Sequence, residues 1–315
     1  MNKYKFGIIG AGPVGSIMAA HLAKAGHNVT LIDILKAHMD EIKKNGLSIT
    51  GVKEIKVPFL KSNICYGIDE LSNKELDYLF ISVKASVLPQ ILPLLKQVVK
   101  PGITYISLQN GLDNEELIAE VFGKNNTLRI VVNYAGNLID NGKVRMSFFN
   151  PPNYIGMIDP KAEKKAKELA EIITEANLET TFTKNIKKYE WEKIILNAAL
   201  SPVCALTRRT MKQMMEFKDT RNLAEAILRE SIEVAAANGI HYKPEFLKFC
   251  MSYLDKAGHH RTSMHVDIEK NNPTEISFIN DKIVKYGKKK GIPTPINSTI
   301  VSLIRGSELP EYIGA

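Results

Sequence analysis

The sequence predicts an α/β fold in which a doubly wound parallel sheet is followed by a mostly helical domain. Short apolar runs alternate with helical stretches over roughly the first 180 residues, which is typical of parallel strands buried on both faces. Beyond that point the strand signals stop and apolar residues recur at helical spacing. Because 315 residues are enough for two domains, we expect a sheet domain over residues 1–184 and a helical domain over residues 185–315.

The sheet domain is predicted to alternate strands and helices. The expected strands are Lys5–Ile9, Val29–Ile32, Leu79–Val83, Thr104–Leu108 and Arg129–Tyr134, and the expected helices are Val14–Lys24, Val87–Val99 and Asn114–Val121. Two smaller β features are also expected: a hairpin from Leu47–Thr50 and Ile55–Phe59, and an antiparallel pair from Lys143–Ser147 and Tyr154–Met157. A helix is expected from Pro160 to about Ala176.

The helical domain shows two apolar stripes. One runs from Leu223 to Val234 and ends at Asn238-Gly239, a helix C-cap signal. The other is formed by Ile276, Ile279 and Ile283. In a chain that joins two such domains, we expect the substrate to bind in the cleft between them.

A glycine fingerprint follows the first predicted strand and opens the first predicted helix. It reads G-A-G-P-V-G, and its residues are Gly10, Ala11, Gly12, Pro13, Val14 and Gly15. The first glycine permits a tight turn, the second lets the backbone approach a pyrophosphate, and the third lets the helix pack close to the strand. The start of the helix offers free N–H groups and a positive dipole end to the phosphates. The alternative is a glycine-rich turn that only closes a βαβ unit, but the full context favours a Rossmann-like dinucleotide site.

Asp33 ends the second predicted strand, where an acidic residue accepts hydrogen bonds from the adenosine ribose. Its charge would repel a 2′-phosphate, so the sequence favours NADH over NADPH. Lys36 lies near enough to offset part of that repulsion.

Two further polar residues follow predicted strands of the sheet. Lys84 follows Leu79–Val83, and Asn110 follows Thr104–Leu108. Open α/β sheets bind ligands at the carboxyl ends of their strands, so both are candidate ligand contacts. Asn110-Gly111 alone is equally consistent with an ordinary turn.

Lys193 and Asn197 are four positions apart and would share one face of a helix. Their neighbours are mostly apolar, and a lysine in apolar surroundings has a lowered pKa that suits it to donate a proton near neutral pH. From the spacing alone, a solvent-facing Lys193 is the stronger alternative.

Glu275 falls at the third position of a predicted helix start, with Asn272 as N-cap and Pro273 following it. This capping role explains Glu275 without excluding a second role in a cleft. Upstream lie three histidines, His259, His260 and His265, but no carboxylate or thiolate stands at a recognisable ligand spacing, so we expect no metal site.

The composition indicates a cytoplasmic protein that binds small molecules. No apolar run approaches the roughly 18 residues of a membrane span, and the chain enters a strand directly, so we expect no signal peptide. Three widely spaced cysteines suit a reducing compartment. The net charge of +8 suits anionic ligands, and no motif supports nucleic-acid binding. The oligomeric state stays open, with a homodimer among the alternatives.

Taken together, the chain resembles the ketopantoate reductase family over essentially its whole length. The order and spacing of six segments carry the resemblance: Gly10 to Gly15, Val83-Lys84-Ala85, Gln109-Asn110-Gly111, Trp191 with Lys193 and Asn197, Ser263-Met264 with Asp267, and Thr274-Glu275-Ile276 followed by Ile279-Asn280.

The resemblance implies that a reduced nicotinamide transfers hydride to the C2 ketone of a branched 2-oxo acid, a step of pantothenate and coenzyme A biosynthesis. It implies that Lys193 is the general acid, with Glu275 orienting the substrate and holding the lysine charged. It implies that Ser263 binds the substrate carboxylate and Asn197 a substrate hydroxyl. Asn110 would position lysine and substrate and contact the cofactor, and Lys84 would lie near the cofactor.

Ser201 departs from the family pattern, which often has a second asparagine there, eight residues after the lysine. A shorter side chain changes the shape of the substrate pocket, so a reductase of a different branched 2-oxo acid remains an alternative. A dinucleotide sensor without chemistry is a further alternative, which the lysine, serine and glutamate set disfavours.

Overall fold

The computed structural model describes residues 3–309, and the chain forms two compact units. Within the described residues, the first unit holds residues 3–109 and 113–186, and the second holds residues 110–112 and 187–309. The domain boundary predicted from the sequence, between residues 184 and 185, remains a prediction.

The first unit contains the strands of the chain that the structure describes. In chain order they are β1 (Lys5–Ile9), β2 (Asn28–Ile32), β3 (Leu47–Gly51), β4 (Ile55–Val57), β5 (Ile64–Cys65), β6 (Tyr78–Ile81), β7 (Thr104–Ser107), β8 (Thr127–Val131), β9 (Tyr134–Asp140), β10 (Lys143–Phe149), β11 (Asn153–Met157) and β12 (Thr180–Phe182). Its α-helices are α1 (Pro13–Lys24), α2 (Lys36–Asn45), α3 (Leu88–Val98), α4 (Asn114–Phe122) and α5 (Glu163–Glu175).

The main sheet has the order β12-β11-β8-β7-β6-β1-β2-β5. In this spatial order, the strands β8, β7, β6, β1, β2 and β5 are parallel to their neighbours. Strand β11 runs antiparallel to β8. This confirms the predicted α/β fold with a mainly parallel sheet. The strand order reverses at β1, which has β2 on one side and β6 on the other, and open α/β sheets bind ligands at such a switch point.

Apolar side chains cover the main sheet on both faces, because successive strand residues point to opposite sides. Phe6 and Ile8 of β1 belong to one buried cluster with residues of α1 and α5. Ile9 belongs to a second buried cluster with residues of α3 and α4. The sheet is therefore buried on both faces, as the continuous apolar runs predict.

A separate four-stranded sheet has the order β4-β3-β10-β9 and corrects one expectation. The hairpin of β3 and β4 is present and antiparallel. The expected pairing of Lys143–Ser147 with Tyr154–Met157 is wrong, because β10 pairs with β9 and β3 while β11 pairs with β8 and β12. Also, β6 ends at Ile81 and β8 ends at Val131, so both stop short of their predicted ends.

The second unit is helical over residues 187–309. Its α-helices are α6, which begins one residue before the unit (Ile186–Thr207), α7 (Met211–Glu216), α8 (Lys218–Ala237), α9 (Phe246–Asp255), α10 (Ser263–Glu269), α11 (Asn280–Lys290) and α12 (Pro295–Ser307). The stripe from Leu223 lies on α8 as predicted, whereas the isoleucine stripe is split between a 3₁₀ turn (Ile276–Phe278) and α11. Within residues 3–309, no helix has the length and apolar character needed to cross a membrane.

Candidate active site

The fingerprint loop has the backbone geometry that its three glycines predict. Gly10 has a φ of 96°, in the region that favours glycine, and its N–H donates to the Ile32 carbonyl at 2.8 Å. A Cβ on Gly15 would lie 2.0 Å from the Gly10 carbonyl oxygen, so only glycine fits. A Cβ on Gly12 would meet nothing within 4 Å. The backbone at Gly12 therefore faces open space, which a ligand can approach.

The start of α1 suits an anionic group. Gly12 is the N-cap and provides no side-chain hydrogen bond, and no acidic residue lies in the first turn of Pro13–Lys24. The first N–H groups of a helix have no intrahelical partner, and the dipole favours negative charge there. These features fit a pyrophosphate at this loop.

The Asp33 carboxylate is held by two backbone N–H groups. Oδ2 accepts from Ala11 at 2.6 Å, and Oδ1 accepts from Leu35 at 2.9 Å. A carboxylate oxygen has a further lone pair, so both can still accept from ribose hydroxyls. Asp33 thus ties the fingerprint loop to the end of β2. Beside it the apolar side chain of Ile34 is 85% exposed.

Ser82 contributes to this loop although we did not predict it from the sequence. Its Oγ lies 2.7 Å from the Gly10 carbonyl and 3.0 Å from the Ile9 carbonyl, and donates to this pair. The signal in the sequence that could have indicated Ser82 was a small polar residue near the end of an apolar predicted strand, Leu79–Val83.

His38, also missed, is 1% exposed, and its Nδ1 accepts from the Gly142 N–H at 3.0 Å. Burial lowers the pKa of His38, while the Asp33 carboxylate and the Ala11 backbone oppose that shift.

Lys84 lies three residues beyond β6, at the carboxyl edge of the main sheet. It precedes a 3₁₀ turn (Ala85–Val87) and is half-buried. Strand β6, which precedes Lys84, is next to β1 in the sheet. Lys84 and the fingerprint loop therefore follow neighbouring strands.

The predicted helical face is present in the second unit. Lys193, Asn197 and Ser201 all lie on α6, at successive spacings of four residues, and therefore share a face. Lys193 and Asn197 are half-buried and Ser201 is buried, so Lys193 is not a fully solvated surface residue.

Asn110 and Glu275 meet in the second unit. Asn110 Nδ2 donates to Glu275 Oε2 at 3.3 Å, and the N–H of Leu112 donates to the Phe278 carbonyl at 3.3 Å. The predicted capping role of Glu275 is wrong, because residues 272–275 are not helical. Instead, Thr274 Oγ1 accepts from the Ile276 N–H at 3.2 Å.

Ser263 is the first residue of α10 and is exposed. The preceding Thr262 is the N-cap of that helix, since its Oγ1 accepts from the His265 N–H at 3.2 Å. Thr262 Oγ1 also donates to the Ser201 carbonyl of α6 at 3.2 Å. The start of α10 is thereby fastened to α6 beside Ser201.

Among residues 3–309 there is no group of three or more histidine, cysteine, aspartate or glutamate side chains that could hold a metal ion. Of the predicted histidine cluster, His265 Nε2 lies 3.2 Å from the Glu269 carboxylate. Cys65, Cys204 and Cys250 are free and buried.

Comparisons with known proteins match the chain over nearly its full length. The family model "Ketopantoate reductase PanE/ApbA" matches residues 6–160, and "Ketopantoate reductase PanE/ApbA C terminal" matches residues 185–308. A curated 2-dehydropantoate 2-reductase of Streptococcus pyogenes is 30% identical over 305 residues, with 96% of this chain and 97% of that protein covered.

Two solved structures show the same likeness. The structure of 2-dehydropantoate 2-reductase from Geobacter metallireducens has a TM-score of 0.87 and 25% identity, covering 96% of this chain and 99% of that one. A ternary structure of D-mandelate dehydrogenase with NADH and anilino(oxo)acetate has a TM-score of 0.86 and 26% identity, covering 96% and 98%. The sequence and structural matches thus agree, and the chain belongs to the ketopantoate reductase family.

Proposed function

We propose that the protein reduces the C2 ketone of ketopantoate (2-dehydropantoate) to the 2-hydroxy acid pantoate, with a reduced nicotinamide dinucleotide as hydride donor. The observation that carries the proposal is the polar set of the second unit. Lys193, Asn197 and Ser201 share one face of α6, and the Asn110 amide bonds to the Glu275 carboxylate in the same unit. Proton donor, carboxylate and hydroxyl-binding groups are what the reduction of a hydroxylated 2-oxo acid requires.

The fingerprint loop is the proposed cofactor site of residues 1–184. Its open backbone at Gly12 and the uncapped start of α1 fit a pyrophosphate, and the Asp33 carboxylate fits a ribose diol. We assign the remaining contacts of this site to Ala11, Val14 and Lys84.

Lys193 is the proposed general acid. When bound, a reduced nicotinamide would supply a hydride to C2, and the carbonyl oxygen of the substrate would then require a proton. The Lys193 ammonium donates that proton from Nζ. The Glu275 carboxylate accepts from Asn110, and we assign to its negative charge the role of favouring the charged form of the lysine.

The remaining polar groups are proposed to recognise the substrate. The exposed Ser263 hydroxyl donates to the substrate carboxylate, and the Asn197 amide binds the hydroxyl at the other end of the substrate. Ser201 follows Asn197 on the same face of α6, and its short side chain leaves that end of the pocket wider than asparagine would.

We propose NADH as the preferred cofactor. The Asp33 carboxylate ends β2 and would repel a 2′-phosphate. Both of its oxygens are fixed by backbone N–H groups, so it cannot swing away without releasing them. The NADH bound to D-mandelate dehydrogenase, named above, is in line with this preference.

A second candidate is the reduction of another branched 2-oxo acid. Ser201 is the residue that favours it, together with the likeness to D-mandelate dehydrogenase, whose ternary structure holds anilino(oxo)acetate. A substrate panel separates the two candidates.

Replacing Lys193 tests the mechanism. Lys193→Ala should lower kcat by about 100-fold or more, because the proton donor is lost. The dissociation constant of NADH, measured by fluorescence titration, should stay unchanged.

The control is Lys212→Ala, which removes a lysine of α7 whose only described ion pair, with Glu216 at 3.7 Å, lies at the surface. It should leave kcat intact. Unchanged turnover in Lys193→Ala would remove Lys193 from the mechanism. A wild-type protein that binds NADH tightly but reduces no 2-oxo acid would instead favour a dinucleotide sensor without chemistry.

A further inference from the structure

A proline inside α6 deprives one backbone carbonyl of its usual donor. Pro202 lies within Ile186–Thr207 and has no N–H to donate to the Ala198 carbonyl four residues earlier. Ala198 is 0% exposed. A buried carbonyl without a donor is costly, so α6 needs a donor from elsewhere at this point.

Asn280 supplies that donor. Its Nδ2 donates to the Ala198 carbonyl at 3.2 Å and to Asn297 Oδ1 at 3.0 Å. Asn280 is the first residue of α11 and is fully buried, as is Asn297. The side-chain amide therefore replaces the hydrogen bond that Pro202 cannot make.

The chain of hydrogen bonds continues to a carboxylate on α8. Asn297 Nδ2 donates to Glu230 Oε2 at 2.8 Å. The same carboxylate accepts the N–H groups of Ile296 at 2.8 Å and Asn297 at 3.0 Å, which belong to the first turn of α12. A negative charge is favourable at a helix N-terminus, so Glu230 is well placed to fix Asn297.

We propose that Glu230, Asn297 and Asn280 form a positioning chain, acting on α6 at the Ala198 carbonyl, that sets the substrate-binding face of the enzyme. None of the three is proposed to touch the substrate. The inference rests on the proposed function, because it matters for catalysis only if α6 binds the substrate.

The position of Ala198 is what links this chain to the site. Ala198 directly follows Asn197 and lies three residues before Ser201, so the bond from Asn280 fixes the backbone between the two proposed substrate ligands. In the other direction, Asn280 begins α11 just after the 3₁₀ turn that follows Glu275. One buried amide thus links two backbone segments that carry site residues.

If the hydrogen-bond chain served only to stabilise the fold, a simpler sequence would be sufficient. An alanine at position 202 would donate its own N–H to Ala198 and need no buried amide. Asn280 Oδ1, moreover, is buried without a hydrogen-bond partner among residues 3–309. A buried polar atom without a partner costs stability, so stability alone does not explain this amide.

The test is a double-variant cycle of Asn280→Ala and Pro202→Ala. Asn280→Ala should lower kcat/KM for ketopantoate by about 10- to 100-fold, mainly through KM, because the ligands on α6 lose their register. The dissociation constant of NADH should stay within about twofold, since the fingerprint loop is in the other unit. Adding Pro202→Ala should restore most of the lost kcat/KM, because residue 202 then donates to Ala198.

The control is Tyr242→Phe, which removes a different hydrogen bond to α6, from the Tyr242 hydroxyl to the Lys188 carbonyl at 2.8 Å. Residue 192, four residues after Lys188, is a glutamate with a backbone N–H, so the Lys188 carbonyl does not depend on the tyrosine for a donor. KM should therefore not change. If Asn280→Ala leaves KM unchanged, or if the double variant is as impaired as the single one, the proposal is overturned.

Urea unfolding without substrate keeps this test separate from the proposed function. It is measured on the wild type, Asn280→Ala, Pro202→Ala and the double variant. The urea midpoint should fall in Asn280→Ala and recover in the double variant. If the shift of the midpoint in the double variant equals the sum of the shifts in the two single variants, the proposal is overturned. If Asn280→Ala does not fold, recovery of folded protein in the double variant supports the coupling, and failure of both contradicts it. A wild-type protein that reduces no ketopantoate would defeat the proposed function while this cycle still tests the hydrogen-bond chain.

Discussion

At the scale of single residues, Asp33 combines a proposed role in cofactor binding with an observed role in holding the fingerprint loop. The sequence predicts a ribose ligand, and the structure shows that the carboxylate also holds the N–H groups of Ala11 and Leu35. Substitutions that remove the acceptor would therefore loosen the fingerprint loop as well as change cofactor choice. A test of cofactor choice has to keep an acceptor at this position.

Asp33→Asn meets that requirement, because the amide keeps one acceptor oxygen and removes the charge. We expect the wild-type protein to show a higher kcat/KM with NADH than with NADPH. In Asp33→Asn the NADPH value should rise by about tenfold, because the repulsion of the 2′-phosphate is removed. Steady-state rates with both cofactors measure the ratio.

Asp40→Asn is the matched control, since Asp40 is an exposed carboxylate of α2 in the same unit and hydrogen-bonds to Tyr66. It should leave the ratio unchanged. A wild-type preference for NADPH, or equal effects of the two substitutions, would contradict the role given to Asp33.

At the scale of elements, the fingerprint glycines differ in what surrounds them. A Cβ at position 15 meets backbone at 2.0 Å, whereas a Cβ at position 12 meets nothing within 4 Å. Gly15→Ala should therefore destabilise the fold by about 1–3 kcal/mol despite the better helix propensity of alanine. Gly12→Ala should change stability by less than about 0.5 kcal/mol and weaken NADH binding at least about tenfold.

Urea unfolding and NADH titration of the two variants separate these effects. Each variant serves as the other's control, because both add one methyl group to the same loop. Normal NADH affinity in Gly12→Ala would show that the pyrophosphate does not lie against this backbone.

Elements set by local pattern could be predicted from the sequence, and long-range partners could not. β1, α1 and β2 lie within a residue of their predicted bounds, because apolar periodicity and a glycine turn are local signals. The partner of β10 was predicted wrongly, since pairing within a sheet depends on which strands the whole chain brings together.

The site shows the same division. The spacing on α6 was predictable from helical periodicity, whereas the Asn110–Glu275 contact joins residues 165 positions apart. The helix start expected at Asn272 was wrong because a 3₁₀ turn begins at Ile276 instead, a choice that local composition does not decide. Ser82 and His38 were missed because their roles depend on neighbouring loops.

At the scale of the whole molecule, buried histidines predict acid sensitivity. His21 and His38 are 2% and 1% exposed, and burial lowers the pKa of each below the ordinary value of 6.5. The unfolded chain therefore binds protons near pH 6.5 while the folded protein resists them. Stability is present above that pH and is lost as the pH falls below it.

We expect the free energy of unfolding to fall between pH 7 and pH 5, by at most about 1.4 kcal/mol per pH unit for each such histidine. Urea unfolding across this range measures the slope. His38→Gln, which keeps a polar side chain but does not titrate, should show a shallower slope than the wild type. A slope that is flat in the wild type, or identical in the variant, would count against this account.

We propose that the protein is a reductase of ketopantoate. The most direct measurement is the steady-state oxidation of NADH, with an NADPH arm, in the presence of ketopantoate, pyruvate and the aromatic 2-oxo acid that corresponds to mandelate. We predict a kcat/KM for ketopantoate with NADH that exceeds the other substrates by at least about tenfold. Turnover of ketopantoate no better than that of the other 2-oxo acids would contradict the claim.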